Sequence, residues 1–157
     1  MKRIFFIFCL GGMLLLGFSC QNQQVVVDEN QAINQARWSY VNPIKIKVPI
    51  VDTAAAYTLF INLRHTEAYA YSNIFIRIKQ RNPNKTQTVW RKEYTLSNLE
   101  GEWLGTGSGN LRSHQLVLFK NHHFSQVGTY VFELEQNMRD NPLKEVSDIG
   151  LRVEKRP

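Results

Sequence analysis

The feature of this sequence that most constrains the fold is a regular alternation of apolar and polar residues in many short segments. The run Ile44-Lys45-Ile46-Lys47-Val48 is an example. A period of two residues is that of a β-strand, because successive side chains point to opposite faces. No long window carries the apolar stripe of an amphipathic helix. The pattern therefore predicts an all-β protein with antiparallel sheets, each with one face on the core.

The alternating segments predict about seven strands, and one further segment is a candidate edge strand. Alternation is regular over residues 44–50, 57–64, 74–79, 130–135 and 149–154, and less regular over 89–96 and 114–119; the candidate edge strand is 37–41. Many short, evenly spaced strands favour a single β-sandwich of immunoglobulin-like or jelly-roll-like type. We expect this domain to occupy residues 37–157.

The N-terminal segment has the pattern of an export signal. Lys2 and Arg3 precede an uncharged run from Ile4 to Phe18, which is followed by Ser19 and Cys20. A membrane-spanning helix needs about 20 apolar residues, and this run is shorter and rich in glycine. A short basic region, a short apolar region and small residues at the end are typical of a signal peptide. Residues 1–19 are therefore predicted to be removed.

Cys20 gives this signal a more specific interpretation. The segment Leu16-Gly17-Phe18-Ser19-Cys20 resembles a bacterial lipobox, which implies that Cys20 receives a diacylglyceryl group and that its new amine is acylated. Two or more acyl chains anchor a protein stably to a membrane. Residues 21–36 show no clear period, so we expect residues 20–36 to be the lipidated cysteine and a flexible tether. Cys9 would leave with the signal, so no free thiol or disulfide is predicted in the mature chain.

Charge and glycine pattern disfavour two classes of ligand. The formal net charge is +6, and Lys2 and Arg3 of the signal supply two of these charges. The remaining charge is mild, whereas a nucleic-acid-binding protein concentrates basic residues on one face. The run Gly105-x-Gly107-x-Gly109 lacks the preceding strand and following helix of a phosphate-binding loop. We predict no nucleic-acid partner and no cofactor.

Histidines and paired acids raise the question of a metal or catalytic site. His114, His122 and His123 do not have the spacing of three or four converging ligands, and a polar turn explains them better. Glu133 and Glu135 lie two apart on the polar side of an alternating strand. Such acids are usually solvated or paired across the sheet with basic neighbours. The sequence therefore predicts neither a catalytic residue nor a metal site.

Aromatic and arginine side chains on predicted loops are the better candidates for a binding surface. Tyr69 and Tyr71 lie between two strong strands, Trp103 lies in a long glycine-rich connection, and Arg139 follows a strand. Such residues are frequent anchors of protein interfaces. The alternative is that the aromatic rings close the end of the sandwich.

Arg64 and His65 end a predicted strand. Neighbouring strand residues point to opposite faces, so the two side chains are not expected to line one pocket. Arg64 is a candidate contact for an anionic group of a partner. The alternative, which we favour, is that Arg64 pairs with an acid and His65 bonds to the backbone.

Thr53 is a candidate modification site. Asp52-Thr53-Ala54 resembles the short O-glycosylation motif of periplasmic proteins in the Bacteroidetes, and it lies in a predicted turn.

Three further blocks carry a resemblance over nearly the whole chain. They are Leu63-Arg64-His65-Thr66 with Tyr69, Tyr71, Ser72 and Asn73; Gly101-Glu102-Trp103-Leu104-Gly105-Thr106-Gly107; and Gly128-Thr129-Tyr130 continuing to Glu135-Gln136-Asn137-Met138-Arg139, Leu143 and Ile149-Gly150-Leu151. Together with the lipobox, these blocks resemble the GldH family of gliding-motility lipoproteins from the Bacteroidetes.

The resemblance implies a non-enzymatic lipoprotein of the cell envelope, held in the membrane by the lipid on Cys20. It would be an assembly or stabilising component of the gliding machinery and the associated type IX secretion apparatus, with other envelope proteins as partners. Gln21–Gln24 lacks the acidic residues that often accompany surface display, which favours the periplasmic face of the outer membrane. The alternative function is an envelope glycan-binding module that uses Trp103 and the tyrosines of residues 66–72 as a stacking surface.

Overall fold

The computed structural model describes residues 24–107 and 109–156, which form ten strands and one 3₁₀ helix. In chain order these are β1 (Gln24–Ala32), the 3₁₀ helix (Asn34–Ala36), β2 (Arg37–Trp38), β3 (Ile44–Ile50), β4 (Tyr57–Thr66), β5 (Asn73–Arg81), β6 (Gln87–Thr95), β7 (Leu111–His122), β8 (Gly128–Gln136), β9 (Leu143–Lys144) and β10 (Val146–Lys155). In the part of the chain that the structure describes, no helix has the length and apolar character needed to cross a membrane.

The eight long strands form two four-stranded antiparallel sheets. The first sheet has the order β1-β10-β4-β7 and the second has the order β3-β8-β5-β6, while β2 and β9 pair as a short separate ladder. The prediction of an all-β sandwich is confirmed. Pro49 lies on β3, an edge strand of the second sheet, as expected for a residue without a backbone N–H.

The core lies between the two sheets and is built from the apolar positions of the alternating segments. On β5, Ile74, Ile76 and Ile78 are fully buried, whereas Phe75 and Arg77 between them point outward. Inward-facing residues of both sheets form one continuous apolar cluster. The period of two therefore determines which face of each strand is removed from water.

Two glutamates of β8, on the outer face of the second sheet, form ion pairs. One carboxylate oxygen of Glu133 lies 2.7 Å from Lys79 Nζ and the other lies 3.1 Å from Arg81 Nη2, while Glu135 lies 3.2 Å from Arg77 Nη1. This confirms the interpretation of the two glutamates as cross-strand ion-pair partners.

Strand β1 corrects the prediction of a flexible tether over residues 20–36. From Gln24 to Ala32 the chain pairs antiparallel with β10, in a register that runs from Gln24↔Lys155 to Ala32↔Asp148. A register shift between Val25 and Val27 breaks the alternation, and an edge strand with much of its surface in solvent tolerates polar residues. Only residues 21–23 therefore separate Cys20 from the sandwich. Residues 1–23, with the predicted signal and Cys20, lie outside the described residues.

The two ends of the sandwich are named here by their distance from the start of β1. The near end contains Gln24 and the connections 51–56, 82–86 and 123–127; the far end contains the connections 67–72, 96–110 and 137–142. Strand β4 joins the two ends, and its ten residues span about 33 Å.

Candidate binding site at the far end of the sandwich

Five aromatic rings from different elements pack together at the far end. Trp103 lies edge-on to His65 with ring centroids 4.5 Å apart, and Tyr69 and His114 lie 5.1 and 5.0 Å from the same imidazole. Tyr71 contacts Tyr69 at 5.8 Å. We call these five residues the far-end cluster. It joins the connection between β4 and β5 to the long connection between β6 and β7.

The centre of this cluster is a buried pair of imidazoles. The Nε2 atoms of His65 and His114 lie 3.0 Å apart, and His65 Nδ1 lies 2.8 Å from the carbonyl oxygen of Thr66. Because that carbonyl can only accept, His65 Nδ1–H donates to it, and His65 Nε2 accepts a hydrogen bond from His114 Nε2–H. Burial lowers the pKa of both imidazoles, and the neighbouring His65 contributes to lowering the pKa of His114 to about 4.

Gly105 permits the close approach of its loop to this pair. A Cβ atom at Gly105 would lie 2.5 Å from His114 Nε2, well inside van der Waals contact. Any side chain there would displace the buried imidazole, so the loop can cover His114 only with glycine at this position.

Glu67 links Trp103 to Arg112 of β7. Trp103 Nε1 donates to Glu67 Oε2 at 2.9 Å, and the same carboxylate forms an ion pair with Arg112. Tyr69 is only 4% exposed, and its hydroxyl donates to the carbonyl of Asn73 at 3.1 Å. For Tyr69 this burial favours the alternative interpretation, in which the ring closes the end of the sandwich.

Beside the cluster, the outer face of the second sheet contains a pocket of about 590 Å³. We call it the far-end pocket. It lies between the connection that follows β4, the outward faces of β5 and β6, and the segment that follows β8. Its lining residues are Tyr71, Phe75, Arg91, Asn137, Met138, Arg139 and Asp140.

One wall of the pocket is shaped by a buried glutamine. Gln136 is fully buried; its Nε2 donates to the carbonyl of Asp140 at 2.9 Å, and its Oε1 accepts from the backbone N–H of Met138 at 2.8 Å. Tyr71 closes this wall by donating its hydroxyl to Asp140 Oδ2 at 2.6 Å. The segment after β8 is therefore held in place in the absence of a partner.

The opposite wall combines an apolar ring with guanidinium groups. The guanidinium carbon of Arg91 lies 4.0 Å from the ring centroid of Phe75, and its Nε donates to Asn137 Oδ1 at 2.6 Å. Arg139 is exposed, and no carboxylate within the described ranges lies within ion-pair distance of it. An apolar ring beside two guanidinium groups is complementary to a partner segment in which an apolar or aromatic side chain is next to a carboxylate.

The candidate residues named from the sequence are thus distributed over separate places. Tyr71 and Arg139 share the far-end pocket, and Trp103 lies half-buried in the cluster behind it. Arg64 points outward from the first sheet, where its Nε lies 2.6 Å from Asp148 Oδ2 beside a polar pocket of about 330 Å³. Thr53 lies in a connection at the near end.

Sequence reasoning missed five of the seven lining residues of the pocket, among them Phe75, Arg91 and Met138, and it missed the pairing of the two histidines. Phe75 carried a usable signal, because it is an aromatic residue on the polar face of a regular strand. Arg91 and Met138 carried none, since their positions depend on strand register and on the path of the segment after β8. Within residues 24–107 and 109–156, no three His, Cys, Asp or Glu side chains converge in a way that could hold a metal ion.

The chain matches a known protein family over most of its length. The model of the family described as GldH lipoprotein matches residues 25–153. The chain belongs to the GldH lipoprotein family. A protein of Christiangramia forsetii named gliding motility lipoprotein GldH homolog is 30% identical over 162 residues, covering 99% of this chain and 98% of that protein. The gliding motility lipoprotein GldH of Flavobacterium johnsoniae is 27% identical over 156 residues, covering 92% and 96%. No solved structure matches the chain.

Proposed function

We propose that this chain is a non-enzymatic, lipid-anchored protein of the cell envelope that helps to assemble or stabilise the gliding machinery and the associated type IX secretion apparatus. Membership of the GldH lipoprotein family and the names of the two relatives support the role in gliding. The lipobox at Cys20 supports the anchor. The neutral segment Gln21–Gln24 supports an outer-membrane location that faces the periplasm.

The far-end pocket carries the proposal of an assembly role. It opens at the end opposite to the start of β1, so a protein anchored at Cys20 would present it away from the lipid. Tyr71, Phe75, Met138 and the two arginines are of the types that dominate protein interfaces. The partner we propose is another envelope protein that inserts an apolar or aromatic side chain flanked by a carboxylate.

The glycan-binding alternative receives less support from the geometry. Sugar rings stack on exposed aromatic faces, whereas the Tyr69 ring is 4% exposed and Trp103 is half-buried against His65. Binding of an envelope glycan that is lost in Trp103→Ala would favour this alternative over ours.

Co-purification from cross-linked envelopes tests the proposed function. Wild type should recover at least one other gliding or secretion component, and Arg139→Glu should recover several-fold less, because the new carboxylate repels the acidic partner. Lys47→Glu is the matched control: it makes the same charge change on an exposed side chain of the same sheet, remote from the pocket. Recovery of no such component by wild type would refute the function. Equal recovery by Arg139→Glu would refute the pocket as the docking site.

A further inference from the structure

A second exposed surface lies at the near end. Val51 is 84% exposed, Val127 is 61% exposed and Val25 is 44% exposed. Lys85 and Arg156 are exposed at the same end. With Lys120, two residues from the end of β7, these side chains form what we call the near-end surface.

Covalent geometry places this surface close to the proposed lipid anchor. Cys20 is four residue steps before Gln24, and four extended steps span at most roughly 14 Å. That is less than half the length of the sandwich along β4, about 33 Å. A lipid on Cys20 therefore keeps the near end, and not the far end, next to the bilayer.

Charged side chains are distributed differently at the two ends. Asp52 is the one carboxylate in the near-end connections, and its Oδ2 lies 2.8 Å from Lys155 Nζ; hydrogen bonding to Lys155 lowers the pKa of Asp52. Lys85, Lys120 and Arg156 have no carboxylate of the described chain within ion-pair distance. The far-end connections, by contrast, carry four carboxylates, on Glu67, Glu100, Glu102 and Asp140.

Val51 projects from a connection that is already ordered. The Asp52 side chain accepts from the backbone N–H of Ala54 at 2.9 Å, and the Tyr57 hydroxyl donates to the Asp52 carbonyl at 2.6 Å. An exposed valine on a fixed turn loses little conformational entropy when it enters another apolar phase.

We propose that the near-end surface rests on the bilayer that holds the Cys20 lipid, with Val51 and Val127 at the boundary of the acyl chains and Lys85, Lys120 and Arg156 over anionic headgroups. This rests on the proposed lipid anchoring. Basic residues within a Debye length of anionic lipid are attracted to it. The contact fixes the orientation, so that the far-end pocket faces away from the membrane. A glycan on Thr53 would separate the turn 51–56 from the lipid, so the two proposals exclude one another.

Single-cysteine labelling of the full lipoprotein tests this contact. Since Cys9 would be removed and Cys20 blocked by lipid, Val51→Cys or Val127→Cys introduces one reactive thiol. Leu99→Cys is the far-end control, because Leu99 is a fully exposed apolar residue of the connection 96–110. The protein carries an environment-sensitive fluorophore in vesicles of phosphatidylethanolamine, with and without phosphatidylglycerol. The near-end probes should shift to the blue and be quenched several-fold less by acrylamide than the Leu99 probe, most strongly with phosphatidylglycerol.

The outcomes separate this proposal from the anchor on which it rests. Protein that lacks acyl mass and stays out of the vesicles refutes the anchor and the contact together. Vesicle-bound protein whose near-end probes are quenched as fast as the Leu99 probe refutes the contact alone. Lys85→Glu combined with Arg156→Glu should reduce the protection, whereas Lys144→Glu, an exposed basic residue remote from the near end, should not. Unchanged protection in the double variant refutes the headgroup part of the proposal.

Discussion

Aromatic rings close both ends of the sandwich, but the hydrogen bonds that hold these rings in place differ. At the near end, Phe124 lies 5.2 Å from Tyr57 and 4.6 Å from Tyr130. The hydroxyls of these tyrosines bond to loop backbone: Tyr130 exchanges two hydrogen bonds with Gln126, each 3.0 Å long, and Tyr57 donates to Asp52. At the far end, the central contact is the pair of imidazoles.

This difference gives the two ends a different response to acid. The near-end connections 51–56, 82–86 and 123–127 are short, and bonds from tyrosine hydroxyls to the backbone hold two of them against the core. The far end includes the long connection 96–110, and it is held by two imidazoles whose pKa values burial lowers, so that they gain charge only on acidification. The end proposed to face a partner is therefore also an end whose central contact acid should weaken.

The largest expected effect is the loss of stability when one aromatic ring is removed from either end. Phe124 is 2% exposed, and removing a buried aromatic ring costs about 3–5 kcal/mol of the free energy of unfolding. Trp103 is half-buried, so Trp103→Ala should cost about half as much. Denaturant unfolding followed by circular dichroism measures both. If Trp103→Ala lowers the free energy of unfolding more than Phe124→Ala does, the far end is packed more tightly than the near end, contrary to this prediction.

A smaller effect should appear on acidification. The pKa of His114 is lowered to about 4 in the fold from 6.5 in the unfolded chain, so the unfolded state binds more protons between these values. The free energy of unfolding should therefore fall as pH falls through this window, by roughly 3 kcal/mol at most from this group. His114→Gln keeps an N–H donor and should flatten the dependence measured by denaturant titration at several pH values.

His122 provides the near-end control for this titration. Burial also lowers its pKa, but its ring stacks on Phe119 and does not face a second buried imidazole. His122→Gln should therefore change the pH dependence less than His114→Gln does. The reverse order would place the acid-sensitive contact at the near end.

The sequence predicted the interior well and the edges poorly. Strands such as β3, β5 and β10 alternate because one face of each is buried, and the alternation is visible without any knowledge of partners. Strand β1 is an edge strand with a register shift, so its pairing with β10 left no periodic trace. Alternation of apolar and polar residues arises where one face of a strand is buried. Little of β1 is buried, so its sequence shows no alternation.

Residues of the candidate site could be predicted from the sequence only where the residue type alone indicates a binding surface. Tyr71 and Arg139 were found because aromatic and arginine residues on loops are frequent anchors. The His65–His114 pair was not, because Leu63 is the residue opposite His114, and His65 meets it diagonally across β4 and β7. That contact depends on the register of strands far apart in sequence, which alternation alone does not determine.

The smallest expected effect compares one hydroxyl at each end. Tyr130 is 1% exposed, and Tyr130→Phe removes both bonds to the Gln126 backbone, which should cost about 1–2 kcal/mol. Tyr71→Phe removes an exposed bond to Asp140 that water can replace, so denaturant unfolding should detect no loss.

Partner recovery should also persist in Tyr71→Phe but fall in Tyr71→Ala, because the ring and not the hydroxyl forms the pocket wall. Loss of recovery in Tyr71→Phe would instead show that the tie to Asp140 keeps the pocket open, which would make the far end a site whose shape depends on one exposed hydrogen bond.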